Sequence, residues 1–241
     1  MTSKRRTFAA GAAAAAAALL AACSSGGGSS ATGSSASGEA AKSPAQIVQD
    51  AQQATGNATS VHIKGAGTSG GTAVRVDIVA GHSRGGGTIS ESGETFQTVL
   101  DGKTVYLQAD AATWTKVSNP SVAGLLAGKW IKTSTDNQDF SDVAGLLDIS
   151  QFVSNFSQPS GTLTKGSVVT LNGVSVVPVT DHGSDGGILY VANSGTPYII
   201  ALGATGSDRG TIYFDQYGTA KFPPVPTGAI DLNALQGNSS S

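Results

Sequence analysis

The chain has 241 residues, 14 basic against 16 acidic side chains for a net charge of −2, and a single cysteine, Cys23. One cysteine excludes an internal disulfide, so any folded part is held by its own core. The absence of a basic surplus argues against nucleic acid as a partner.

Residues 1–22 read as an export signal. Lys4, Arg5 and Arg6 precede an alanine-rich apolar stretch from Phe8 to Leu20, which is short for a permanent membrane span. Arg5-Arg6-Thr7-Phe8 also resembles a twin-arginine signal, so the export route stays open between the two systems. Small residues at Ala21 and Ala22 lead directly into Cys23, the arrangement in which a peptidase exposes a thiol that takes a diacylglycerol thioether. The diacylglycerol carries two acyl chains and the new N-terminus can take a third, which makes the anchor stable, since one chain alone binds membranes only marginally. Cleavage before Cys23 leaves 11 basic and 16 acidic residues, a net charge near −5. Past that point no stretch approaches the roughly 20 continuous apolar residues of a spanning helix, so the lipid is the expected attachment. The expected location is the extracytoplasmic face of the plasma membrane.

Residues 23–43 are the lipidated cysteine and a Ser/Gly/Ala tether, too poor in apolar groups to offset the entropy of ordering. Ser43-Pro44 then supplies a helix cap and a first-turn proline ahead of Ile47, Val48, Ala51 and Ala54 at helical spacing, predicting a helix over about 44–55. Residues 44–235 are the expected domain, and 236–241 a frayed tail.

From Val61 the apolar period changes to two. Val74, Val76 and Ile78 alternate with Arg75 and Asp77, Gly81 to Gly87 interrupts the run, and Thr88 to Ser92 resumes it. Asp101-Gly102 has the residue types of a two-residue hairpin turn. With those two as the central residues, Leu100 pairs with Lys103, Thr98 with Val105 and Phe96 with Leu107, which puts Phe96, Leu100, Val105 and Leu107 on one face. Asn172-Gly173 repeats the device, pairing Leu171 with Val174 and Val169 with Val176 on another apolar face. Gly187 to Ala192, Pro197 to Leu202 and Thr211 to Asp215 carry the same strand chemistry. Between the two strand-rich halves, Leu125, Leu126, Leu146, Leu147, Phe152 and Phe156 fall in short helical clusters. An apolar sheet face needs a cover, so the expected architecture is α+β: a curved, largely antiparallel β half-barrel wrapped over short helices.

With these landmarks the chain resembles the LppX/LprAFG family of actinobacterial lipoproteins and, more distantly, the LolA-like half-barrels. The likeness spans about residues 44–235. It rests on the tethered cysteine, the helix leading into Thr59-Ser60-Val61-His62-Ile63-Lys64-Gly65, and the hairpin Leu100-Asp101-Gly102-Lys103-Thr104-Val105-Tyr106-Leu107. Lys129-Trp130-Ile131-Lys132, Gly187-Ile188-Leu189-Tyr190-Val191 and Ala229-Ile230-Asp231-Leu232 complete it. The resemblance implies a cavity between sheet and helices that shelters the acyl chains of a lipid or acylated partner. Val74, Val76, Ile78, Phe96, Leu100, Val105, Leu107, Leu125, Leu126, Leu146, Leu147, Phe152, Phe156, Val169, Leu171, Val174 and Val176 are the candidate lining. The competing expectation is a non-catalytic surface domain with a closed core.

A serine hydrolase is the third reading. Gly67-Thr68-Ser69-Gly70-Gly71 and Gly81-His82-Ser83-Arg84-Gly85 both match G-x-S-x-G, a pattern that functions where a strand turns into a helix. Strand-like runs follow both, so no catalytic residue is assigned and the chain is not expected to be an enzyme. His62, His82 and His182 are scattered and no metal-ligand spacing occurs. No metal or cofactor is expected. Trp114 and Trp130 are assigned to packing in preference to a ligand site or a membrane interface.

Overall fold

The computed structural model describes residues 37–118, 120–156, 159–184, 186–205 and 209–237. Cys23, the export signal, the tether up to residue 36 and the tail from residue 238 lie outside them.

Ser43 caps the first helix as its position predicts. Its Oγ accepts from the Gln46 N–H at 3.3 Å, Pro44 stands at the first position, and α1 runs Pro44–Gly56. Ile47, Val48, Ala51 and Thr55 form its buried stripe, the spacing of one helix face. The described residues before position 44 also contact the domain. Gly38–Ala41 make a short 3-10 turn whose Glu39 and Ala40 N–H groups donate to the Asn193 backbone and side-chain oxygens at 3.0 and 2.9 Å. The Lys165 ammonium donates to the Ala40 and Lys42 carbonyls, both at 2.6 Å. Polar contacts to two distant segments therefore hold residues 39–42 against the domain.

The first meander comprises β1 (Ser60–Ser69), β2 (Thr72–Gly81), β3 (Arg84–Glu91), β4 (Glu94–Asp101), β5 (Thr104–Gln108) and β6 (Ile131–Ser134). The second comprises β7 (Leu163–Lys165), β8 (Val169–Leu171), β9 (Val174–Asp181), β10 (Gly187–Ala192), β11 (Ile199–Ala204) and β12 (Gly210–Asp215). Antiparallel pairing of β1 with β12 joins them, and β13 (Ile230–Asp231) adds a parallel edge to β6. Among the described residues this is one open sheet of 13 strands in the order β13-β6-β5-β4-β3-β2-β1-β12-β11-β10-β9-β7, with β8 also on β9. The fold is an α+β half-barrel of the expected kind.

Two local expectations change. Gly81–Gly87 is not a long break: β2 and β3 are joined by His82-Ser83, and Gly85 to Gly87 lie inside β3. A Cβ on Gly85 would stand 2.5 Å from the Leu147 carbonyl oxygen on the inner face, and one on Gly86 would stand 2.6 Å from Pro223 on the outer face. Here glycine lets chain segments press on both sides of the strand. The turn after β4 is also displaced. Asp101 pairs with Thr104 and Leu100 with Val105, so Gly102-Lys103 are the central residues and Gly102 takes the positive φ of 59°. The two-residue shift preserves parity, which leaves Phe96, Leu100, Val105 and Leu107 on one face.

Helices cover the concave side. α2 (Ala111–Val117), a helix not expected from the apolar pattern, is capped by Asp110, which accepts from the Thr113 N–H at 2.7 Å. That hydrogen bond holds the Asp110 carboxyl below the usual carboxylate range. α3 (Pro120–Leu126), α4 (Ser141–Leu147) and α5 (Ile149–Phe156) fall at the predicted apolar clusters. α6 (Leu232–Gly237) takes in the first two residues of the expected tail.

Candidate functional site

One apolar cluster fills the space between sheet and helices. Of the candidate lining residues, Val76, Ile78, Leu100, Val105, Leu107, Leu126, Leu147 and Phe152 are buried in it. Val74, Phe96 and Leu146 are half-buried against its edge. Leu125 is 65% exposed and lies outside the cluster. The Phe156 side chain lies outside the described residues.

The four second-hairpin candidates are placed differently from the expectation. Val177 and Val179 of β9 join the cluster, so Val176 faces the other way, buried but outside it. Val169, Leu171 and Val174 share the Val176 side of the hairpin and also lie outside the cluster. Val169 and Val174 are 44% and 36% exposed. The predicted register is correct, with Leu171 opposite Val174 and Val169 opposite Val176. The face is inverted, since a run of apolar residues from Val174 to Val179 does not reveal which parity points inward.

The cluster extends to the end of the sheet where β5 leads into α2. There Val74, Ile89 and Phe96 stay half-buried, and Trp114 packs edge-on against Phe96 with ring centroids 5.9 Å apart. Trp114 is 6% exposed, yet its indole Nε1 has no hydrogen-bond partner among the described residues. An unpaired buried donor costs about 1–3 kcal/mol. No feature of the sequence marks this residue beyond its type and the Asp110 cap four residues before it.

A pocket of about 410 Å³ lies on the opposite, convex side. Gly87, Thr88, Gln97, Val99 and Trp130 form its wall, and Pro223 to Thr227 pass over it. This strap begins where Phe222 meets Gly81 and Arg84 stacks over the Phe222 ring at 5.2 Å, and it ends in β13. Trp130, assigned to packing, is half-buried at the pocket.

His62, expected as a surface group, bridges two carboxylates on the convex side of β1. Nδ1 meets Asp215 at 2.7 Å and Nε2 meets Asp77 at 2.9 Å, tying β12 and β2 to the strand between them. Partial burial opposes its charge, but the hydrogen bonds to Asp77 and Asp215 outweigh that and raise the His62 pKa. His62 and then Lys64 hold the Asp77 carboxyl below its ordinary value.

Ser83 sits in the two-residue turn between β2 and β3, with φ at 52°. A strand follows it, not the helix a nucleophile elbow requires. His82 Nδ1 meets the Ser150 hydroxyl at 3.1 Å, and the Ser83 amide donates to Asp148 at 2.8 Å. Ser69 closes β1 ahead of the Gly70-Gly71 turn into β2. His182 meets the Thr164 hydroxyl at 2.8 Å. Among the described residues no cluster of His, Cys, Asp and Glu has the makings of a metal site.

LprF from Mycobacterium bovis, 12% identical, matches over 77% of this chain and 97% of its own length with a TM-score of 0.53. The chain shares the fold of LprF. The Mycobacterium tuberculosis lipoprotein LppX is 14% identical over 77% of this chain and 99% of LppX, at a TM-score of 0.48. A LolA superfamily protein from Nitrosomonas europaea is 8% identical over 77% and 96% of the two chains, at 0.27. No protein-family model and no curated protein sequence matches the chain. The LprF-like sheet therefore identifies an architecture, and the chemistry has to be argued from this chain's own residues.

Proposed function

We propose that this protein is an exported lipoprotein, anchored through Cys23 on the extracytoplasmic side of the membrane, that holds an acyl chain of a lipid or acylated molecule beneath its half-barrel. The single observation that carries the reading is the Trp114 indole N–H, buried without an acceptor beside the half-covered Val74, Ile89 and Phe96. An ester or amide carbonyl at the head of an acyl chain would satisfy that donor while the methylenes lie against the apolar face. Movement of α2 and α3 away from the sheet would admit the chain, and these helices present Val117 and Leu125 to solvent at 52% and 65% exposure. Burying twenty methylenes is worth on the order of 15 kcal/mol at about 0.8 each. A bilayer offers the same environment, so exchange between membrane and protein is close to balanced, as carrying requires.

Native mass spectrometry of the domain, released gently from its host membrane fraction, tests this. Retention of lipid at fixed stoichiometry supports the proposal, and a uniformly empty domain contradicts it. The second reading, a surface interaction domain with a closed core, draws on the convex pocket with its Trp130, Gln97 and Thr88 wall. It predicts an empty interior and a ligand at the strap.

A further inference from the structure

We infer that the convex pocket beside the proline strap is a binding site for a neutral pyranose sugar, with Thr88, Gln97 and Trp130 as its recognition groups. The pocket lies across the sheet from Trp114, so the inference goes beyond the lipid reading and does not depend on it.

Three unused hydrogen-bonding side chains line this space. Thr88 and Gln97 sit opposite one another on β3 and β4. Both point to the convex side, since their neighbours Ile89 and Phe96 pack on the concave cluster. Among the described residues the Thr88 hydroxyl, the Gln97 amide and the Trp130 indole N–H have no hydrogen-bond partner. The indole only donates, whereas the amide and the hydroxyl both donate and accept. Beside these groups stand flat apolar surfaces, the Trp130 ring and the rings of Pro223, Pro224 and Pro226.

The strap is a bridge held at its ends. The Gly218 N–H donates to the Ser60 carbonyl at 2.8 Å, and the Ile230 N–H donates to the Trp130 carbonyl at 2.9 Å. Among the described residues no backbone hydrogen bond ties residues 223–229 to the sheet. The three prolines there lack an N–H and hold φ fixed, which stiffens the span. The space of about 410 Å³ falls within the roughly 300–1,000 Å³ of small-molecule sites.

The lining selects the class of ligand. No charged side chain lines the pocket, so a phosphate or carboxylate would lose water without gaining a counter-charge. β3 and β4 are each paired on both sides, so they offer no edge to an extended peptide. An acyl chain would cover three polar side chains and bond none of them. A pyranose meets both kinds of surface. Its C–H faces lie against the indole and proline rings, and its hydroxyls, each a donor and an acceptor, satisfy Thr88, Gln97 and Trp130.

Nitrogen-15 NMR of the mature chain tests this. The chain has two tryptophans and therefore two indole N–H signals, assigned with Trp130→Phe. Methyl α-glucopyranoside, methyl α-mannopyranoside and methyl β-galactopyranoside are titrated in turn. At least one should shift the Trp130 signal saturably, with a dissociation constant in the millimolar range, and leave the Trp114 signal in place. Glucose 6-phosphate should bind no more tightly than the neutral glucoside, and cyclohexylmethanol should give no saturable shift. The double variant Thr88→Val, Gln97→Leu keeps shape and removes polar atoms that bond nothing in the protein. Its unfolding midpoint should stay near the parent's, while affinity for the sugar falls about tenfold. Any of four results overturns the inference: no saturable shift of the Trp130 signal with the three sugars, tighter binding of the 6-phosphate, equal binding of cyclohexylmethanol, or unchanged affinity in the double variant. Lipid occupancy beneath the sheet is read at Trp114, so failure of the sugar site and failure of the lipid reading are separate outcomes.

Discussion

The Asp148 carboxylate joins two segments that are far apart in sequence: one oxygen accepts from the Ser83 amide at 2.8 Å, and the other accepts from the Ser150 and Gln151 amides at 3.0 and 3.1 Å. It caps α5 and fixes the turn between β2 and β3 in one step. Loss of a capping carboxylate costs about 0.5–2 kcal/mol, and here a part-buried amide is orphaned as well. Asp148→Ala should lower stability by about 2 kcal/mol in urea unfolding. Ser83→Ala, which keeps the amide, should change it by less than about 0.5 kcal/mol and leave reaction with a serine-directed probe unchanged.

At Gly85 the end of α4 lies against the sheet, and a side chain there meets the Leu147 carbonyl oxygen and the Val79 carbonyl oxygen within 3 Å. Both obstacles are backbone, so neither can swing aside. Gly85→Ala should cost about 1–3 kcal/mol, read as a lowered thermal midpoint. Gly93→Ala is the control for backbone strain alone, since its φ is 86° and its added methyl meets nothing within 4 Å.

His62 makes stability depend on pH in a defined direction. Its folded pKa is raised, so its contribution is fully present below the unfolded value of about 6.5 and is lost as pH rises through the higher folded value. Asp77 has the opposite sign: its depressed pKa gives stability present above about 4 and lost as pH falls through the lower folded value. The wild-type thermal midpoint should fall, relative to that of His62→Gln, as pH rises above about 6.5. Parallel midpoints across that range would contradict the bridge to Asp77 and Asp215.

Trp114→Phe removes the orphaned donor and keeps most of the ring. The empty domain should be as stable as the parent or slightly more so, because an unpaired buried N–H disappears. Lipid occupancy measured by native mass spectrometry should fall. Lower stability with unchanged occupancy would assign the tryptophan to packing alone.

The fold was legible wherever period and turn chemistry agreed. Alternation placed Val74, Val76 and Ile78 correctly because charged residues occupy the other parity. Asn172-Gly173 fixed its own register because both residues take positive φ. Where apolar residues fall on both parities, as from Val174 to Val179, pattern does not choose a face, and the inward side went to Val177 and Val179. Residues 39–42 are held by Asn193 and Lys165, contacts that sequence distance conceals. Trp114 was legible as a buried aromatic, but its unpaired nitrogen is a property of the packed neighbours.

The most direct test is to locate an acyl chain. A phospholipid with a photoreactive group on its acyl chain, loaded onto the soluble domain and activated after the complex is purified away from vesicles, should crosslink to peptides holding Val74, Ile89, Phe96 and Trp114. Crosslinks confined to the convex pocket around Trp130, or to the β8–β9 hairpin, would contradict a lipid held beneath the sheet.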